Sequence, residues 1–189
     1  MIKGQHPAQY GYRLLTPYRL RLTALTINSS QNMPRYREAL ISDLPSICVL
    51  GNEVNAFHHD NLPDIFAAEG EPERDRAHWL QSIERENATT FVAEVSGTLI
   101  GFVTVGIVDE SHSLLQPLRY GRIGTIGVSF EFRGQGIGRS LMALAEDWAH
   151  ARGAVDIRLN IWAFNDRAMR LYKELGYEIR SNFLGKRIA

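Results

Sequence analysis

Arg133-Gly134-Gln135-Gly136-Ile137-Gly138 places three glycines in five residues between a strand-like run and a long amphipathic stretch. A backbone without Cβ atoms turns sharply there, and its N–H groups crowd together where a helix begins. Unpaired amides and the positive end of the helix dipole make such a turn a site for an anion, most often a phosphate. The preceding strand runs from Arg122 to Phe130. The following helix runs from Gly136 to about Arg152, with Ile137, Leu141, Leu144, Ala145 and Trp148 on one face. Any fold for this chain must accommodate that strand–turn–helix unit.

The 189 residues suffice for one domain with a full hydrophobic core. No apolar run reaches the roughly 18–20 residues that span a bilayer, so a membrane partner is not expected. Cys48 is the only cysteine, which leaves no internal disulfide and no cysteine-based metal cluster. A reducing, cytoplasmic location follows as the expectation.

Formal charge sums to zero but is unevenly spread. Up to Arg37 there are six Lys/Arg and no acid, and the remainder carries a net charge of −6. The body therefore lacks the basic surface a nucleic-acid binder needs. Residues 1–33 read as a poorly patterned extension: an early start, a cloning-derived leader, an arm that packs on a partner, or a targeting peptide without a clear apolar core. Residues 34–189 read as a single domain.

Within that domain, Arg37–Ile41 reads as a short strand. Ser42-Asp43-Leu44-Pro45 starts a helix with Ile47, Leu50, Val54 and Phe57 at helical spacing, and the segment from His58 to Pro63 ends it. A second helix is expected over Pro72–Glu86. Phe91–Val95 and Leu99–Val108 form a hairpin through Ser96-Gly97. A loop of about a dozen residues, Asp109–Tyr120, precedes the strand before the glycine turn. Val155, Ile157, Leu159 and Ile161 alternate with polar residues as a strand does. Asn165-Asp166 caps a short helix that Gly176 ends, and Tyr177–Ile179 with Phe183–Ile188 reads as a closing hairpin. The order β-α-α-β-β-β-α-β-α-β-β mixes hairpins and crossovers, so the class is α/β (α+β): a mixed, mostly antiparallel sheet flanked by helices.

Two common phosphate loops do not fit. A Walker A loop needs Gly-Lys-Ser/Thr, and Gly138-Arg139-Ser140 has no lysine. A dinucleotide turn needs a third glycine where Arg139 stands. Asp156 lies at the start of its strand, whereas a ribose-binding acid belongs near the end. The antiparallel hairpin before the turn also argues against a dinucleotide-binding βαβ unit.

The spacing Arg/Gln-x-x-Gly-x-Gly/Ala is met by Arg133, Gly136 and Gly138. A second motif follows in order: Asn165, Ala168, then Leu171-Tyr172-Lys173-Glu174-Leu175-Gly176-Tyr177. Together they resemble the GNAT N-acetyltransferase superfamily, from about Pro34 to Ile188. The resemblance implies a sheet splayed at the acyl-CoA site and acetyl-CoA as co-substrate. The pantetheine arm would pair with Ile126 and Val128, with the Val128 N–H facing the thioester carbonyl. The pyrophosphate would take the amides of Gln135, Gly136, Ile137, Gly138 and Arg139, beside the Arg133 charge. Asn165 would hydrogen-bond the CoA arm, or serve as a plain helix cap.

In this family an amine attacks the thioester directly, so no metal is required. Tyr172 matches the family's general acid, although Ala168, Leu171, Tyr172 and Leu175 also form an apolar helical face. The strand before the glycine turn carries no carboxylate for a general base; Glu94, Asp109, Glu110 and His112 are the alternatives. His58-His59-Asp60 is not spaced as a metal site, because adjacent histidines on a helix point apart.

The resemblance places the acceptor against residues 55–86. The stretch from Glu53 to Glu86 holds nine acids and three arginines, which read as a solvated charged helix or as an acidic wall for a cationic amine of a small molecule or peptide. Phe57, Phe66 and Trp79 offer an apolar pocket instead. A non-catalytic acyl-CoA-binding regulatory module is the competing reading, and a homodimer stays open.

Overall fold

The structure is a computed structural model and describes residues 33–68 and 70–188. The expected basic extension, except Met33, lies outside the described residues. Five strands form one sheet in the order β1-β2-β3-β4-β5: Arg35–Glu38, Ala88–Val95, Thr98–Glu110, Leu118–Val128 and Ile157–Arg158. The first four pair antiparallel and β5 pairs parallel to β4. The helices are α1 (Leu44–Asn61), α2 (Arg76–Glu84), α3 (Ile137–Ala151) and α4 (Asp166–Glu174). The mixed, mostly antiparallel sheet flanked by helices is thus observed. No helix among the described residues is long and apolar enough to cross a membrane.

Two cores sandwich the sheet. On one face Leu44, Ile47, Cys48 and Leu50 of α1 meet Trp79, Val92 and Phe102. On the other, Ile137, Leu141, Met142, Ala145 and Trp148 of α3 pack on Val103, Val105 and Ile123, with Tyr172 of α4 joining them. The helical spacing read for α3 and for the first turns of α1 therefore carries their burial, each fully buried Leu or Ile contributing about 1.5–3 kcal/mol, whereas Phe57, read on the same face of α1, is 40% exposed.

Several boundaries differ from expectation. α1 runs through His58 and His59 to Asn61, because Leu62 closes it with an N–H bonded to the His58 carbonyl. Pro72–Asp75 is a separate 3-10 turn before α2. β4 begins at Leu118, which shortens the expected long loop to residues 111–117, and it ends at Val128, with Phe130 in a 3-10 turn. The expected strand over Val155–Ile161 shrinks to Ile157–Arg158, because β4 and β5 diverge beyond that pair. β4, α3 and β5 do form a parallel crossover, so the hairpin argument against a βαβ unit does not hold. Asp156, however, is spent on Arg158 and Arg180.

The expected closing hairpin does not form. Phe183, Leu184 and Ile188 are about nine-tenths exposed and bury nothing that would stabilise a strand. Residues 177–188 are instead tied at points: the Tyr177 hydroxyl donates to Glu146, Arg180 pairs with Asp156, and Arg187 pairs with Asp64.

One polar knot joins β1, β2 and the start of α1. Arg37 Nη1 and Nη2 donate to the two Asp43 oxygens at 2.6 and 3.0 Å, and Nη2 also reaches Glu94 at 2.9 Å. Asp43 further accepts the Leu40 N–H at 2.7 Å. The Arg37 guanidinium holds the buried Asp43 carboxyl below the usual carboxylate range. Arg37→Met should lower unfolding stability by about 2–3 kcal/mol at pH 7, read by urea denaturation. Because the folded pKa lies below the unfolded one, this stabilisation is complete above about pH 4–5 and is lost as pH falls through the folded value. The gap between wild type and variant should therefore close in acid.

Candidate active site

The site is built on an irregularity in β4. Val103 faces Ile126 and Val105 faces Ile123, so Thr104 of β3 opposes both Gly124 and Thr125. This is a β-bulge, one extra residue on β4. Thr104 Oγ1 accepts the Thr125 N–H at 2.9 Å and closes the gap. A Cβ at Gly124 would lie 2.6 Å from that oxygen, so the bulge requires glycine there.

The bulge reverses the phase of the strand. Before it, the Gly121 N–H points away from β3 and bonds the Asp156 carbonyl. After it, Thr125 and Ser129 donate toward β3. Alternation along the strand then turns the N–H groups of Ile126 and Val128 away from β3. β5 pairs β4 only at Gly121 and Arg122, so among the described residues no strand covers that edge. Two amides consequently face a gap between diverging strands.

The glycine turn follows directly. Gly134 and Gly136 both have φ of 82°, in the left-handed region that a side chain disfavours. A Cβ at Gly136 would meet nothing within 4 Å, so the space over the turn is open. α3 begins at Ile137, and its first amides have no helical partner until Ser140 donates to the Gly136 carbonyl. Arg133 is half-buried and donates from Nε to the Val128 carbonyl at 2.8 Å, which braces the turn against the strand edge. Gln135 donates to the Glu131 carbonyl, and the Arg139 side chain pairs with Glu174 of α4 at 2.6 Å. The Arg139 charge thus ties α3 to α4.

Tyr172 comes to the same gap from α4. Its residue is 7% exposed, and its hydroxyl makes no hydrogen bond among the described residues. Burial pushes the phenol up to about 12. Asn165 caps α4 through Oδ1, which accepts the Ala168 N–H at 3.1 Å, and its amide group remains for another partner. Ile126, Asn165, Ala168 and Tyr172 line one end of a cavity of about 650 Å³ whose other end is walled by α1, α2 and the segment after β5.

The model of the acetyltransferase (GNAT) family matches residues 54–177, about two-thirds of the chain. The chain belongs to the GNAT family of acetyltransferases. An acetyltransferase of Sodalis glossinidius is 27% identical over 72% of this chain and 95% of its own length. An uncharacterized N-acetyltransferase of Methanocaldococcus jannaschii is 34% identical over 53% of this chain and 42% of its own. Among solved structures, a mutant Bacillus halodurans protein superposes with a TM-score of 0.77 at 23% identity, covering 82% of this chain and 99% of that one. The aminoglycoside N-acetyltransferase AAC(6')-Iy, bound to a CoA–acetylneamine bisubstrate analogue, gives 0.64 at 18%, over 83% and 99%. The protein is an acetyl-CoA-dependent N-acetyltransferase, and acetyl-CoA is its co-substrate.

In this GNAT enzyme none of the four residues considered as base lines the cavity. Glu94 is held by Arg37 and Asp109 by Arg119, while Glu110 and His112 lie outside it. The acidic wall is also displaced. Of the described carboxylates between Glu53 and Glu86, only Asp75 lines the cavity, and Arg74 Nε and Nη2 grip it at 3.1 and 3.0 Å. Glu53 and Asp60 line a separate, shallower groove beside Phe130 and Arg133. His58 and His59 direct Nδ1 to the Val54 and Phe66 carbonyls at 2.7 and 2.8 Å, which orients the two rings differently.

Sequence reading passed over Thr104, Gly124, Trp162 and Phe164. A glycine within a β-branched strand was the available signal for the bulge. Nothing local marked Thr104, whose partner lies 21 residues away. Thr104→Val should destabilise the fold by about 1–3 kcal/mol, since the Thr125 N–H loses its acceptor. Hydrogen exchange should quicken at Thr125 while the β1–β2 amides keep their protection.

Proposed function

We propose that this enzyme acetylates the primary amine of a small molecule by direct attack of the amine on the acetyl-CoA thioester. One juxtaposition supports the reading: Ile126, on the β4 edge whose amides turn outward as far as Val128, lines the same cavity as Tyr172, whose hydroxyl has no hydrogen-bond partner among the described residues. In that reading the arm of CoA lies along the exposed β4 edge, as an added strand would, with Asn165 donating to it. Its pyrophosphate rests on the amides of Gln135, Gly136, Ile137, Gly138 and Arg139 at the start of α3, beside the Arg133 guanidinium. The Val128 N–H donates to the thioester oxygen as negative charge develops, a preorganised contact that strengthens toward the transition state.

Tyr172 supplies the proton to the leaving sulfur. A phenol held near 12 stays protonated throughout the physiological range, so it is always a donor. The leaving thiolate enters the same desolvated space, which raises its own proton affinity and narrows the difference between the two groups. The amine must reach the site unprotonated, and in this reading His58, which lines the cavity, takes its proton. A carbonyl only accepts, so His58 Nδ1 carries a hydrogen toward Val54, and Nε2 is the nitrogen left to act as base. The same helix lies over the reaction edge: a Cβ at Gly127 would come within 2.8 Å of Val54 Cγ2, one turn before His58. The only cysteine is buried under α1, which suits direct transfer and a reducing cytoplasmic setting.

Thiol release from acetyl-CoA, followed with a panel of primary amines, tests the reading. Direct attack gives intersecting double-reciprocal plots; parallel lines, or CoA binding without release for any amine, would sink it. Tyr172→Phe should lower kcat about 100-fold and leave CoA affinity within about two-fold, by titration calorimetry. Because the phenol lies near 12, kcat should show no alkaline fall from Tyr172 below about pH 11.

A further inference from the structure

The acceptor end of the cavity is made of rings. Phe66 stands edge-on to Trp162, with centroids 5.0 Å apart, and tilts against His58 at 4.8 Å. His58 also meets Phe164 and Phe57 edge-on, at 5.6 and 5.7 Å. His58, Phe66 and Trp162 line the cavity directly, and Phe57 and Phe164 back them, 5.6 Å from each other. Two regions far apart in the chain thus build one aromatic wall: the last turns of α1 with the loop directly after it, and the segment between β5 and α4.

The wall is held rather than adaptable. Asn55 Nδ2 donates to the Ala67 carbonyl at 2.9 Å, His59 Nδ1 to the Phe66 carbonyl, and Arg74 to the Ala68 carbonyl at 3.0 Å. The loop that carries Phe66 is stapled to α1 and to the turn before α2 by these bonds. Those same bonds consume hydrogen-bonding groups of the wall. The Asn55 amide is spent on the loop, and Arg74 and Asp75 neutralise each other. His78, Thr125 and Asn160 also line the cavity but are no part of the ring wall, so a polyhydroxylated or polycationic acceptor seated on that wall would bury hydroxyls or ammonium groups against rings. A flat apolar ring instead gains edge-to-face contacts, and a single ammonium gains the ring faces before it is deprotonated.

We propose that the acceptor is a small primary amine carried on an aromatic body, seated against Phe66 and Trp162 with its nitrogen toward His58. This deepens the acetyl-transfer reading and rests on it. A cavity of about 650 Å³ lies within the range of small-molecule sites, roughly 300–1,000 Å³. The chemistry balances without a further reactant: the amine nitrogen forms a bond to the acetyl carbon as the carbon–sulfur bond breaks. One proton leaves the amine and one reaches the sulfur.

The full chain with acetyl-CoA should turn over phenethylamine with a kcat/KM at least ~10-fold above that for neamine, spermidine or an alanine-led hexapeptide. Phe66→Ala and Trp162→Ala should each raise the phenethylamine KM ~10-fold, with CoA affinity unchanged as the sign of an intact fold. Equal or faster turnover of any of the other three acceptors, or an unchanged KM in both variants, overturns the proposal. If no amine releases CoA, the acetyl-transfer reading fails and the ring site is judged by binding alone. Calorimetry of phenethylamine against the CoA-bound protein then decides. Saturable binding lost in Phe66→Ala upholds the ring site; absent binding refutes it.

Discussion

The functional end of the molecule depends on one hydrogen bond inside a bulge. Where Thr104 takes the Thr125 N–H, β4 carries an extra residue, and the phase of its amides reverses. Without that reversal Thr125 and Gly127 would present outward, and Ile126 and Val128 would be locked into β3. β5 leaves β4 two residues after it joins, so the reversed segment has no strand beside it. Unpaired backbone groups at a sheet edge normally invite pairing with another chain, a hazard that proteins suppress. Here the exposed stretch is short and is overhung by α1 and α4, so a slender extended ligand can reach it more readily than another strand.

The surrounding elements cooperate around that edge. Arg133 donates back to the Val128 carbonyl, which joins the glycine turn to the strand whose amides it continues. Arg139 and Glu174 tie the start of α3 to the end of α4, so the glycine turn and Tyr172 are held by the same pair of helices. α3 itself is anchored by a fully buried stripe from Ile137 to Ala149. Rigid scaffolding of this kind is what the proton donor proposed at Tyr172 would need, because a shift of about 1 Å in a reacting group can cost two orders of magnitude in rate.

Local signals were legible where the chemistry is local. The glycines at 134 and 136 do adopt left-handed backbone, and Asn165 does cap α4, both consequences of residue type at a turn. The helical stripes of α3 and of the first turns of α1 read correctly because burial follows the 3.6-residue period. Alternation misled at the chain's end, where Phe183 and Ile188 have a strand-like pattern but no neighbour to pair with. It misled again after Arg158, where Leu159 and Ile161 turn to the cavity instead of extending β5. Composition left the acceptor side open between a solvated charged face and an acidic wall, and the described acids of residues 53–86 are mostly exposed, with only Asp75 in the cavity lining. A charge count does not say which side of a helix faces a cavity.

The sequence by itself determined membership of the GNAT family, the co-substrate and the turn that begins α3. Those depend on residue types within a few positions of one another, and on two motifs in fixed order. Tertiary structure alone decided which amides of β4 face the gap, because the bulge needs Thr104 from a neighbouring strand. It alone brought Phe66, His58 and Trp162 together, from segments separated by about 100 residues of chain. Contacts of that kind have no local signature, since the residues meet only after the sheet has formed between them.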